Sequence, residues 1–129
     1  MLHIPGLYII ESEGRGRGVF TAESLSDGDL IEICPIIKIP EGQLTQIDQT
    51  VMYDYYFLWE EDGYRGCIAL GYGGIYNHNS SPNADVIFDY QDSTIKIIAN
   101  QSIDSGDELF IDYTGSGLTK ESDLWFKPV

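Results

Sequence analysis

Three stretches of the sequence gather residue types whose spacing could serve chemistry on a polar ligand. The first is Gly14-Arg15-Gly16-Arg17-Gly18-Val19-Phe20. Glycines without a Cβ let backbone N–H and C=O groups come close to a bound molecule. A phosphate loop would need a following helix and often a lysine. Here Val19-Phe20-Thr21-Ala22 is strand-like, so the segment taken alone reads as a hairpin turn. The second stretch, Gly71 to Asn83, sets Asn77, His78, Asn79 and Asn83 beside three glycines and the pair Tyr72 and Tyr76. Such a run suits recognition of a planar polar group such as adenine. It reads equally as a loop whose Asn side chains cap their own turns, with His78 a structural histidine. The third stretch, Gly106 to Tyr113, leaves a turn, enters a short strand and ends on Asp112-Tyr113. A tyrosine at a strand end can present its hydroxyl to a pocket floor or settle into a core.

The elements that must position these residues are mostly strands. Short apolar runs alternate with turn residues, predicting strands at 7–11, 18–22, 30–34, 36–39, 55–59, 67–70, 86–89, 94–99 and 109–111. Residues Tyr90 to Ser93 read as an antiparallel hairpin loop. Two segments echo each other, Ser26-Asp27-Gly28-Asp29-Leu30 and Asp104-Ser105-Gly106-Asp107-Glu108-Leu109. Each sets a glycine, cheap at positive φ, just before an apolar strand. The one helix expected lies between Glu41 and Tyr53, on a loose stripe of Leu44, Ile47, Val51 and Met52. After Tyr113 a Gly-rich stretch leads to Trp125 and Phe126, expected to fold back as a closing tail over 114–129. The whole chain, 1–129, is expected to be a single domain with its core at about 8–113.

With 43% hydrophobic residues the chain can fill a core, which argues against disorder. No apolar run approaches the ~20 residues of a membrane span. The start, Met1-Leu2-His3-Ile4-Pro5, shows no basic region followed by an apolar stretch. The expectation is an intracellular protein, cytoplasmic or nuclear in a eukaryote, and not secreted. Cys34 and Cys67 stand alone in apolar segments, so buried thiols are favoured over a disulfide. There is no Cys-x-x-Cys pair, and His3 and His78 are the two histidines, so no metal site is expected. Net charge is −14, from 21 acidic and 7 basic residues. That balance excludes phosphate-driven nucleic-acid binding, which needs clustered Lys and Arg. It either concentrates a basic partner or simply keeps a solvated surface soluble.

Taken together and in this order, the three stretches resemble the SET-domain family of protein lysine methyltransferases. The likeness rests on Gly16-Arg17-Gly18 with Val19-Phe20, on Asn77, His78, Pro82 and Asn83, and on Glu108, Leu109, Asp112 and Tyr113. It implies a mostly β fold of several small curved sheets, with a C-terminal pseudoknot and at most one or two short helices. It implies S-adenosylmethionine as cofactor, held by Gly16, Arg17 and Gly18 through main-chain groups and by Asn77 and His78, with Tyr55 a further contact. Tyr113 would be the catalytic residue at the transfer point, and Tyr72, Tyr76, Ile111 and Tyr113 would line the substrate channel. The implied partner is a basic, lysine-containing protein or peptide such as a histone tail, with no membrane and no direct nucleic acid; pairing into a homodimer stays open. Asn79 stands where the family usually has Ser, and Ile111 where Phe or Tyr commonly biases the number of methyls added. The cysteine-rich zinc segment that follows many members is missing, as in compact minimal ones. The other reading of the same motifs is a non-catalytic SET module that binds cofactor or peptide without turnover.

The implied chemistry agrees with the residue types. Methyl transfer moves positive charge from sulfur to nitrogen, so it needs alignment, desolvation and a neutral amine more than new charge stabilisation. A free lysine titrates at about 10.4, and an aromatic channel lowers that value by disfavouring the ammonium. Neither a Ser-His-Asp triad nor a metal is required.

Overall fold

Alternation of apolar and polar side chains makes most of this chain strand. The computed structural model describes residues 2–3, 6–12, 14 and 16–113; the expected closing tail, with Trp125 and Phe126, lies outside the described residues. Among the described residues ten strands run β1 (Leu2–His3), β2 (Leu7–Ser12), β3 (Gly16–Thr21), β4 (Leu30–Pro40), β5 (Phe57–Glu61), β6 (Tyr64–Ala69), β7 (Asn77–His78), β8 (Ala84–Asp89), β9 (Thr94–Ala99) and β10 (Glu108–Ile111). They form two sheets. One is ordered β5-β6-β4-β9-β8 with β1 added on β4, the other β2-β3-β10-β7. Val19, Leu109 and Ile111 from the second sheet join Ile31, Trp59, Ile95 and Ile97 from the first in a shared core.

The strand β9 shows the simplest case. Ile95, Ile97 and Ala99 are buried while Thr94, Lys96 and Ile98 are less so, the period of two that a strand with one core face imposes. It pairs with β8 from Ala84↔Ala99 to Asp89↔Thr94, so the expected hairpin loop at 90–93 is present.

The two strands expected at 30–34 and 36–39 are one. Residues Leu30 to Pro35 pair with β9, and Ile36 to Pro40 pair with β6. Pro35, which has no N–H to give, sits where the partners change. Near its start β4 carries a bulge between Leu30 and Glu32, which places an extra residue in the strand. As a result the adjacent residues Ile31 and Glu32 are both buried.

The expected helix is broken into a 3-10 turn at Glu41–Gln43, α1 (Leu44–Ile47) and a 3-10 turn at Val51–Asp54. None of the three buries a residue fully, and a helix without a packed face does not propagate. The echoed segments do form the same turn twice. Asp29 N–H bonds to Ser26 C=O at 2.9 Å and Asp107 N–H to Asp104 C=O at 3.1 Å, with Gly28 and Gly106 at φ of 90° and 88°. Cys34 and Cys67 are buried free thiols. Among the described residues no helix is long and apolar enough to cross a membrane.

Candidate active site

The glycine-rich stretch is a hairpin turn and also more than one. Strands β2 and β3 pair from Leu7↔Thr21 to Ser12↔Gly16, so Gly14 lies in the loop between them. Gly16 has φ of 75° with open space around it, so its backbone conformation is what asks for glycine. Gly18 is different: a Cβ there would collide with the Glu108 carboxylate and come within 2.9 Å of Asn77 Nδ2. Gly18 therefore makes room for two side chains of the other stretches.

Strand β10 inserts between β3 and β7. It runs antiparallel to β3, with Glu108↔Phe20 and Leu109↔Val19, and parallel to β7, with Phe110↔Asn77 and Ile111↔His78. This is the crossing of the two C-terminal stretches expected from the sequence. Side chains complete what two residue pairs leave unfinished. Asn77 Nδ2 donates to Arg17 C=O at 3.0 Å and to the Glu108 carboxylate at 2.7 Å. One amide thus ties all three stretches together, and both its hydrogens are spent. Its oxygen is the group left to offer a ligand. Asn83 lies alongside β10, donating to Glu108 C=O at 2.9 Å and accepting Phe110 N–H at 2.8 Å.

His78 is buried, and its Nδ1 accepts the Tyr113 backbone N–H at 2.8 Å. An accepting Nδ1 carries no proton, so the assigned tautomer holds its hydrogen on Nε2. Burial lowers the pKa of the imidazole, and the nearby Asp112 only partly opposes that. The 3.6 Å approach of Asp112 Oδ1 to Nδ1 is thus a neighbour contact with a neutral ring. Beyond it the His78 and Tyr113 rings lie 5.1 Å apart.

Tyr113 donates its hydroxyl to the Tyr76 carbonyl at 2.6 Å. Burial, with help from the Tyr55 phenol and Glu108, pushes the Tyr113 pKa up to about 12. The hydroxyl stays protonated at working pH and acts as a fixed dipole. Tyr55, partly exposed, caps the 3-10 turn at 51–54 and lies beside Gly74. Tyr72 packs against the core edge. Tyr76 is itself buried, its hydroxyl turned to Glu32 at 2.6 Å, so its carbonyl is what it gives to Tyr113. Ile111 is buried in the core, two residues before Tyr113. Gly16 and Arg17 are exposed on β3, and the Arg17 carbonyl meets Asn77.

A sequence model of the SET domain matches residues 16–114. The chain belongs to the SET-domain family. A Schizosaccharomyces pombe protein named histone-lysine N-methyltransferase, H3 lysine-37 specific, is 33% identical over 122 residues, covering 94% of this chain and 77% of its own length. A Plasmodium falciparum protein, solved by crystallography as a candidate histone methyltransferase, superposes with a TM-score of 0.73 at 30% identity, covering 90% of this chain and 97% of its own. In this SET domain, sequence reasoning passed over Glu108, Asn83 and Glu32 as site residues. The first two stood inside the quoted motifs, so their spacing was a signal. Glu32 had none beyond being an acidic residue in an apolar run.

Proposed function

We propose that this SET domain is a protein-lysine N-methyltransferase that takes its methyl group from S-adenosylmethionine and acts on a basic, lysine-containing protein of the histone kind. Lysine methylation follows from the family and from the named activity of the Schizosaccharomyces pombe relative. The observation that carries the reading is the convergence of Arg17, Asn77, Glu108 and Tyr113 at one place. The group set fits the cofactor: the exposed residues Gly16 and Arg17, the Asn77 oxygen, and a neutral His78 with Nε2–H offer uncharged partners for an amino-acid head and an adenine. When bound, the cofactor supplies a methyl group on a sulfonium.

The chain's own residues do the rest. Tyr113, fixed on the Tyr76 carbonyl, orients the reacting amine. Tyr55 and Tyr72 with the apolar core edge exclude water, which favours the neutral amine over the ammonium. The net charge of −14 raises the local concentration of a basic substrate. A histone-type substrate would place this work inside the cell.

The test is radiolabelled methyl transfer to a Lys-rich peptide, with cofactor binding followed by calorimetry. Tyr113→Phe is expected to lower turnover at least about tenfold, roughly 1.4 kcal/mol of barrier, while cofactor affinity changes little. Full turnover in that variant removes Tyr113 from the mechanism. Cofactor binding by the wild type with no transfer to any lysine substrate would leave the non-catalytic module.

A further inference from the structure

Glu32 is a carboxylate with no exposed surface, at 0% of its accessible area, and it has no ion-pair partner among the described residues. Isolating such a group from water is costly unless hydrogen bonds satisfy it. An apolar side chain on β4 would fill the same space without that cost. Glu32 faces inward in register with its partner Ile97 and on the same side of β4 as Cys34, and the bulge between Leu30 and Glu32 inserts the buried Ile31 beside it.

Two of its partners lie on one short segment. Oε1 accepts the Tyr76 hydroxyl at 2.6 Å, and Oε2 accepts the Tyr72 backbone N–H at 2.8 Å. The Cys34 thiol bonds to the same carboxylate, and burial first, then Glu32, pushes that thiol well above its usual range. Cys34 therefore stays a protonated, packed thiol. The turn between Tyr72 and Tyr76 is closed by Ile75 N–H on Tyr72 C=O at 2.8 Å, so Glu32 grips it at both ends. The Tyr76 carbonyl then receives the Tyr113 hydroxyl, and the next two residues are Asn77 and His78.

We infer that Glu32 is a positioning residue for methyl transfer, holding Tyr76 so that its carbonyl fixes the Tyr113 hydroxyl at the transfer point. This rests on the reading of Tyr113 as the residue at that point. Glu32 touches neither substrate nor cofactor; it acts through Tyr76 and then Tyr113.

The test is a kinetic double-mutant cycle on the full chain at saturating cofactor and Lys-rich peptide. Glu32→Leu, which strands the Tyr76 hydroxyl and the Tyr72 N–H, is expected to lower kcat by about tenfold. Glu32→Gln should recover most of that loss, because its oxygen can accept Tyr72 N–H while its amide donates to the Tyr76 hydroxyl. Placed in Tyr113→Phe, Glu32→Leu should lower kcat no further, since coupled residues are not additive. A role in general stability would give the full additional loss there, and that outcome overturns the inference. If Glu32→Leu fails to fold on thermal melting, Tyr76→Phe replaces it in the same cycle; wild-type kcat in Tyr76→Phe also overturns the inference. A wild type that methylates no lysine peptide sinks the reading beneath it, which an active wild type with additive losses does not.

Discussion

The β8–β9 hairpin is held by six successive residue pairs, the crossing of β7 and β10 by two. The hairpin needs little else, because Ile95, Ile97 and Ala99 point alternate side chains into the core. The crossing is finished by side chains that stand in for backbone: Asn77 on Arg17 C=O, Asn83 on both sides of the β10 peptide groups, His78 on Tyr113 N–H. In one region hydrophobic burial sets the geometry. In the other, directional bonds set it, at the place where residues far apart in sequence must converge.

The largest expected effect breaks the hairpin side. Ile97 has no exposed surface, and Ile97→Ala should cost about 2–5 kcal/mol of stability, measured by urea unfolding. The kcat of its folded fraction should match the wild type. If kcat falls with stability, the two regions are not separable. Asn83→Ala comes next. It removes two bonds to β10 and should cost about 1–3 kcal/mol; here kcat should drop as well, because β10 leads into Tyr113. Stability lost with full turnover retained would mean that the crossing tolerates slack.

How far the sequence reached follows the same division. Strand β9 was legible to the residue, since alternation is a local signal. The β4 strand read as two because Pro35 looks like a break, and only the change of partners at that residue explains its tolerance. Strand β7 was invisible: it is two residues long and its partner in β10 is remote. The three stretches that carry the candidate site could be picked out by type and spacing. Their internal ties were not, since nothing local tells that Gly18 must accommodate Glu108, or that Tyr76 contributes a carbonyl while its ring serves Glu32. The bulge that buries Ile31 beside Glu32 leaves no mark in composition.

The smallest effect sharpens the hairpin side again. Among the described residues Thr94 Oγ1 is buried without a hydrogen-bond partner, so it brings a desolvated hydroxyl and no bond. Thr94→Val, nearly the same shape, should be neutral or stabilising by up to about 1 kcal/mol, read from the same unfolding curves. A clear loss would mean that the hydroxyl is satisfied in solution.

The insertion of β10 between β3 and β7 also has a kinetic side. Its partners Phe20 and Asn77 lie far back along the chain, and loop-closure entropy must be met before such remote strands gain anything by pairing. Hairpins such as β2–β3 and β8–β9 close locally and early. Strand β10 delivers Glu108 to Asn77 and Tyr113 to Tyr76. A state of this chain in which the hairpins have closed and β10 has yet to pair has no site at all.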